Sequence, residues 1–400
     1  MPTMSEVEVR SGTGAGEDSP VTPSVRLEFL DGLRGASALF VLFHHAMMMA
    51  YPVALGVYAD GWIGAVFGWA VYGHFGVTVF IVLAGYSLAL GIAKRGGDLP
   101  GGTWGFMKRR AQRIIPVYWV ALAMTMLLVT VYIGRKTGTH WDLSTPTDYK
   151  GWVLDVLLLQ DIGRAQNVAY TFWSISVEFH IYLLLPIILL VRRRSSWPVA
   201  IGTGAGVGLV GVALAVAVPR YFERFFPSYY VLFALAVGAC VAVHHRPAWL
   251  TTFPWKTVGA SLAVIVAGVC VVKPFEWVSD NFYWVDILFG LAVICLVVSM
   301  SQGSAPRVTQ AFAWKPLAVA GTFSYSLYLV HAPLLQVLWQ AGIDPLSLSR
   351  GGQLALLWLV ACPLIVLFSY GFYRVAEKPF VPKGTPRPAE PGVQVSAPPA

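Results

Sequence analysis

Residues 30–49 read LDGLRGASALFVLFHHAMMM. Twenty residues of α-helix rise about 30 Å, the thickness of a bilayer's hydrocarbon core, so this run is long enough to cross a membrane. Arg34 and His45 stand eleven residues apart inside it. Eleven helical residues turn through about 1100°, within about 20° of three full turns, so both side chains point to one face. Their heights differ by about 16 Å. A guanidinium therefore lies near one membrane surface and an imidazole sits deep beneath it. Ionisable side chains are costly inside a bilayer, and their presence points to function. The pair predicts a charged ligand held at the mouth of a site, with chemistry or proton movement further in. The alternative is a snorkelling interfacial arginine plus a hydrogen-bonded packing histidine.

Composition extends this reading to the whole chain. Of 400 residues, 56% are hydrophobic and only 12% charged, about half the charge of a soluble domain. Mean hydropathy is +0.65. The expected fold is an all-α polytopic membrane protein with about ten transmembrane helices. The apolar runs are 33–52, 72–93, 114–133, 171–191, 198–218, 228–244, 257–273, 284–300, 317–339 and 352–375, of which 228–244 and 257–273 are short. A net charge of +8 invites a nucleic-acid reading, but the distribution opposes it. With the N terminus inside, 20 Lys and Arg fall on the inner side and 8 on the outer. That asymmetry places both termini in the cytoplasm of a multi-pass protein of the inner (plasma) membrane. The four cysteines, Cys240, Cys270, Cys295 and Cys362, all fall in the runs and read as packing residues, with no metal site.

Residues 1–25 lack an apolar core and read as a disordered cytoplasmic tail. Residues 381–400 are Pro-rich and read as a second tail. Between them, 26–380 forms one membrane domain, with no room for a second soluble one. No convincing internal repeat is visible, which weakens a transporter built on inverted halves.

Three further segments carry chemistry. The stretch KRGGDLPGGTWGFMKRRAQRIIPVYW holds Lys94, Arg95, Lys108, Arg109, Arg110 and Arg113. Arg109 and Arg110 lie four and three residues from Arg113, so like charges crowd one helical face. Guanidinium forks suit phosphates, although such clusters also orient loops against anionic lipid. Pro116 is expected to loosen the following helix where a ligand could enter. In YTFWSISVEFHIYLLLP, Glu178 lies about 10 Å into the span, counted from Thr171. Ser174, Glu178 and Tyr182 are spaced i, i+4, i+8 and share a face. His180 lies about 200° around the helix from Glu178, in a different environment. In VAGTFSYSLYLVHAPLL, a 3, 4, 3 spacing predicts one stripe of Gly321, Ser324, Tyr328 and His331. Helix packing is the competing role for that stripe. Glu377 and Lys378 near the end of the last span read as an interfacial ending with local ion pairing.

Six segments, in order, resemble the acyltransferase family 3 of bacterial integral-membrane acyltransferases: RLEFLDGLRGASALFVLFHH, GHFGVTVFIVLAGYSLAL, FMKRRAQRIIPVY, FWSISVEFHIYLLLP, GTFSYSLYLVHAPLL and YRVAEKPF. They run from Arg26 to Phe380. The resemblance implies transfer of an acyl group, acetyl or another short chain, from cytoplasmic acyl-CoA to a hydroxyl of a carbohydrate, lipid, glycoside or small metabolite. Acyl-CoA would be a co-substrate, with no permanently bound cofactor, no metal and no nucleic acid. The arginine, ten residues and histidine of the family match Arg34 and His45. Its paired basic motif matches Arg110 and Arg113, its tryptophan–serine carboxylate segment matches Glu178, and its late segment matches Ser324, Tyr325, Ser326 and His331. Polysaccharide-modifying members read Glu-Glu-Gln where this chain reads Glu178, Phe179 and His180. The Phe and His resemble a branch that includes macrolide O-acyltransferases of antibiotic biosynthesis. Many members also carry a fused extracytoplasmic SGNH-type domain, which this sequence does not accommodate.

On that resemblance Arg34, Arg110 and Arg113 bind the CoA phosphates, and the pantetheine arm reaches down toward His45. His45 is the general base or a transient acyl carrier. Glu178 orients His45 or the acceptor. His331 and Tyr328 hold the developing oxyanion or line the acceptor site, and Trp173 and Ser174 join Tyr328 in substrate binding. His44, about 100° away on the helix, is the confounder for His45. The rival class is a polytopic transporter or exporter with a His/Glu proton relay.

Overall fold

The computed structural model describes residues 25–134, 137–143, 149–162, 169–218 and 226–381. Apart from Val25 and Val381, the two expected tails lie outside the described residues. Among the described residues all regular structure is helical. Among these residues nine helices are long and apolar enough to cross a membrane, or ten when a bent pair counts as one span. The chain is an all-α polytopic membrane protein. Both short runs form spans, at Pro227–His245 and Trp255–Val272. The second keeps only Gly259 and Val266 buried and turns Val264, Ile265, Val271 and Val272 outward, which is stable where lipid replaces water.

The site is built around α1 (Val25–Ala50), α2 (His74–Ala93) and α3 (Gly102–Leu128). To these are added α4 (Trp173–Ile181), α5 (Lys315–Thr322) and α6 (Ser324–Leu338). Helix α3 continues through Pro116, which has no N–H to donate to the Gln112 carbonyl one turn earlier. Small residues let α1 pack backbone against backbone on α5 and the short helix before it. A Cβ on Gly35 would lie 2.2 Å from the Leu317 carbonyl oxygen, and one on Gly321 would lie 1.9 Å from that of Asp31. Such contacts favour glycine because lipid-embedded helices gain their association from close approach.

Between α5 and α6 the ninth span bends by 76° at Phe323. The bend removes Gly321 from the expected stripe: Ser324, Tyr328 and His331 share α6, whereas Gly321 belongs to α5 and packs on α1. A helix broken inside a membrane exposes backbone groups that must be satisfied internally. The Ser324 hydroxyl donates to the Gly321 carbonyl at 2.9 Å. The Ser326 amide and hydroxyl donate to Glu377 Oε2 at 3.1 and 2.5 Å. Glu377 is therefore not an interfacial ion-pairing residue as expected. It is buried, 3% exposed, and its carboxylate complements the positive N-terminus of α6. Glu377→Ala is expected to destabilise the fold by about 1.5–3 kcal/mol, the worth of a charge-assisted hydrogen bond, with Glu377→Gln losing less. Thermal unfolding in detergent reads this, and an unchanged Tm in Glu377→Ala would contradict the capping role.

Candidate active site

A cavity of about 270 Å³ opens among these helices. At one end lie Arg34 on α1, Ser87 and Leu88 on α2, and Arg110 and Arg113 on α3. Arg34 donates to Asp31 Oδ1 at 2.6 Å and to Ser87 Oγ at 2.7 Å. These contacts tie α1 to α2 and aim the guanidinium. Arg109 turns away and donates to the Pro100 carbonyl, so the crowded arginines separate. Arg110 lies over the Phe106 ring at 5.9 Å, and its Nε is buried without a partner. Three guanidinium groups against the Glu178 carboxylate leave a net positive lining, and among the described residues none of the three forms an ion pair with Glu178. Glu178 instead accepts a hydrogen bond from the Tyr182 hydroxyl. Ser174, Glu178 and Tyr182 all line the cavity, as their spacing predicts.

The lining climbs α2 through Ala84, Ile81 and Phe80 to Val77. From Ser87 to Val77 is a rise of about 15 Å, close to the rise from Arg34 to His45. At this deep end Ser174 donates to the Tyr328 hydroxyl at 2.7 Å, and Thr171 donates to the Tyr328 carbonyl at 3.4 Å. Ser324 and Tyr325 complete the α6 wall, and the Tyr325 hydroxyl donates to the Ile114 carbonyl at 3.1 Å.

His45 and His331 do not border this cavity. They meet beyond Tyr328, with ring centroids 5.2 Å apart, and the His331 ring is 5.7 Å from that of Tyr328. His44 is 4.6 Å from His45 but has a partner, its Nδ1 lying 2.9 Å from the Ala70 carbonyl. His45 Nδ1 and His331 Nε2 are buried without hydrogen bonds. Unpaired polar atoms cost about 1–3 kcal/mol each and call for a reason. His45 keeps partial exposure.

A fourth histidine arrives from the segment between the third and fourth spans. His140 stacks parallel to His45, with centroids 5.8 Å apart and planes 6° apart. Trp141 packs 4.5 Å from His45. Asp142 shapes this segment by accepting from the Thr137 amide and hydroxyl and the Gly138 amide. Thr139 ties it to α6 by donating to Gln336 Oε1 at 2.9 Å. Non-helical backbone packed this closely on spanning helices occurs where protein buries it or a cavity meets it.

Burial lowers the His140 pKa to about 3, with the nearby His44 adding to the shift. The unfolded chain takes up its proton near 6.5, so unfolding binds a proton between these values. Stability therefore falls as pH drops through that window, by up to about 1.4 kcal/mol per pH unit. His140→Phe is expected to flatten the loss of Tm between about pH 6.5 and pH 4. Parallel Tm-against-pH curves for the two proteins would rule out this contribution.

Other expected residues are placed as follows. Trp173 stacks on Phe226 at 4.2 Å and does not line the cavity. No hydrogen bond joins Glu178 to His45 among the described residues. His180 pairs with Asp161 at 2.8 Å, in a separate environment as its helical angle predicts. Sequence reasoning missed Ser87 and His140, which carry no local signal. It also missed Asp286, a carboxylate within an apolar run that should have been weighed on that ground alone. Asp286 is fully buried, 3.2 Å from His74 Nε2, and accepts from the Thr78 hydroxyl at 3.1 Å.

A many-span helical protein with an arginine-lined cavity leading toward paired histidines fits a membrane enzyme that handles an anionic ligand. The family described as acyltransferase domain matches residues 27–374, and the chain belongs to it. This is the family that the six ordered segments had implied. It is 22% identical over 373 residues to a putative peptidoglycan O-acetyltransferase of Bacillus subtilis (strain 168), covering 89% of this chain and 55% of that protein. It is also 22% identical over 385 residues to the O-acetyltransferase OatA of Staphylococcus aureus (strain NCTC 8325 / PS 47), covering 89% and 57%. The chain thus spans little more than half the length of these relatives. No solved structure matches it.

Proposed function

We propose that this protein transfers an acyl group, acetyl or another short chain, from acyl-CoA to a hydroxyl of a glycan, glycoside or macrolide-type metabolite. The observation that carries this reading is the cavity with Arg34, Arg110 and Arg113 at one end and the α2 wall of Ala84, Ile81, Phe80 and Val77 leading away from them to Ser174 and Tyr328. The arginines would hold the CoA phosphates at the cytoplasmic surface by charge-assisted hydrogen bonds. The pantetheine arm would fill the climb of about 15 Å along α2, bringing the thioester to Tyr328. The Tyr328 hydroxyl, held by Ser174, would donate to the carbonyl oxygen as negative charge develops there. Glu178, held by Tyr182, would take a polar group of the donor or acceptor.

The reaction balances without a further reagent. His45 accepts the acceptor's hydroxyl proton, and the acceptor oxygen bonds to the thioester carbon. The carbon–sulfur bond then breaks, and the CoA thiolate leaves with the proton from the imidazolium. An imidazole suits both transfers near neutral pH. The O-acetyltransferase names of the relatives favour a short acyl group and a carbohydrate acceptor. The Phe179–His180 pair in place of Glu-Gln favours a macrolide-type one.

The test is thiol release by the purified protein in detergent, supplied with acetyl-, propionyl- or longer acyl-CoA. A peptidoglycan fragment or a macrolide serves as acceptor. Release that depends on the acceptor is expected, and the responding acceptor selects between envelope modification and metabolite tailoring. Folded protein that releases no thiol from any donor would refute the reading.

A further inference from the structure

We propose that Phe80 sets the length of the acyl group that the protein accepts. This deepens the donor reading above and rests on it. Phe80 lies on α2 about 10 Å deeper than Ser87, counted as seven helical residues. It lines the cavity. It also packs against both large apolar clusters, the one that includes the cavity-lining Val77, Ile81 and Ile175 and the one that includes Leu42, Ala46 and Trp141. Its ring meets Tyr328 edge-on, with centroids 6.0 Å apart. Tyr328 in turn is 5.7 Å from His331.

Tyr328 lines the cavity on one side and touches His331 on the other, and Phe80 stands beside it in the lining, with Val77 one turn deeper. A thioester carbon that reacts near His45 must therefore sit beside Phe80 and Tyr328. The rest of the acyl chain then has to fit against the Phe80 ring, Val77 and Ile175. The two aromatic walls are not equivalent. Ser174 and Thr171 hold Tyr328 by hydrogen bonds, whereas Phe80 is held by apolar packing alone. Resizing Phe80 changes the space for the chain without leaving a buried polar group unpaired.

A methylene in an apolar pocket is worth about 10- to 200-fold in selectivity. Phe80→Ala is expected to raise the ratio of kcat/KM for hexanoyl-CoA to that for acetyl-CoA by at least about ten-fold. Phe80→Trp is expected to lower the same ratio. Both are read by thiol release with one acceptor held constant. The ratio is taken within one preparation, so partial loss of folded protein does not move it, and the second variant keeps the test open if the first fails to fold. Opposite shifts in the two variants support the assignment. Wild-type turnover with the same ratio in a folded variant overturns the role of Phe80 and leaves the acyltransferase reading intact. Absence of wild-type thiol release from every donor overturns the donor reading and this inference with it.

Discussion

Replacing His45 by alanine is expected to lower acceptor-dependent thiol release by about 10²–10⁴-fold, the usual contribution of a general base. Donor affinity should stay near that of the wild type, because His45 does not border the cavity that would hold CoA. His44→Ala is the matched control. Its ring is only 4.6 Å from that of His45, but Nδ1 is engaged by the Ala70 carbonyl, and a Cβ on Gly73 would lie 2.1 Å from the His44 Cβ. His44 is thus locked into packing by its partner and by Gly73, whereas His45 has a buried nitrogen without a hydrogen bond. His44→Ala should therefore cost stability more than rate. Rates for both variants, alongside their Tm values, check this. A His45→Ala protein that keeps transfer while His44→Ala loses it would sink the assignment.

Removing one cavity arginine is expected to weaken donor binding by about 10- to 150-fold, the equivalent of 1.5–3 kcal/mol for a charge-assisted hydrogen bond. Arg110→Ala should show the effect most cleanly. Arg110 lines the cavity with its Nε unpaired, so no internal ion pair is broken with it. Arg34→Ala removes more, since Asp31 and Ser87 both lose their partner. The KM for acyl-CoA should rise and the KM for the acceptor should not. Lysine at 110 should recover only part of the affinity, because an ammonium keeps the charge but lacks the fork. Raised salt should weaken wild-type binding most and Arg110→Ala less. Unchanged CoA binding in Arg34→Ala, Arg110→Ala and Arg113→Ala would return the cluster to its other reading, a set of charges that contacts anionic headgroups and orients the chain.

The helical periodicity of single segments anticipated a good part of this arrangement. Ser174, Glu178 and Tyr182 were expected on one face and line one cavity. His180 was expected elsewhere and pairs with Asp161. Periodicity failed where a segment is not one helix: the stripe from Gly321 to His331 assumes continuity through Phe323, and the chain bends there by 76°. Glu377 was misread for a related reason. Its place near a span's end suggested an interface, but its partner is the opened N-terminus of α6, 51 residues earlier. His140 sits in a short polar stretch between spans, where nothing local marks it out for stacking on His45.

The sequence by itself determined an all-α bundle of about ten apolar helices and the facing of Ser174, Glu178, Tyr182 and His180 along their own helix. Length, hydropathy and the 3.6-residue turn are local properties, so a linear reading recovers them. Only the tertiary structure decided which ionisable groups meet. It put the three arginines and Glu178 around one cavity and the histidines beyond Tyr328. It also folded the His140 segment onto them and used Glu377 to cap a broken helix. Those contacts join residues far apart in the chain, such as Arg34 with Ser87 and Thr139 with Gln336. They depend on how close small residues let whole helices approach, a property of pairs of helices that no single segment encodes.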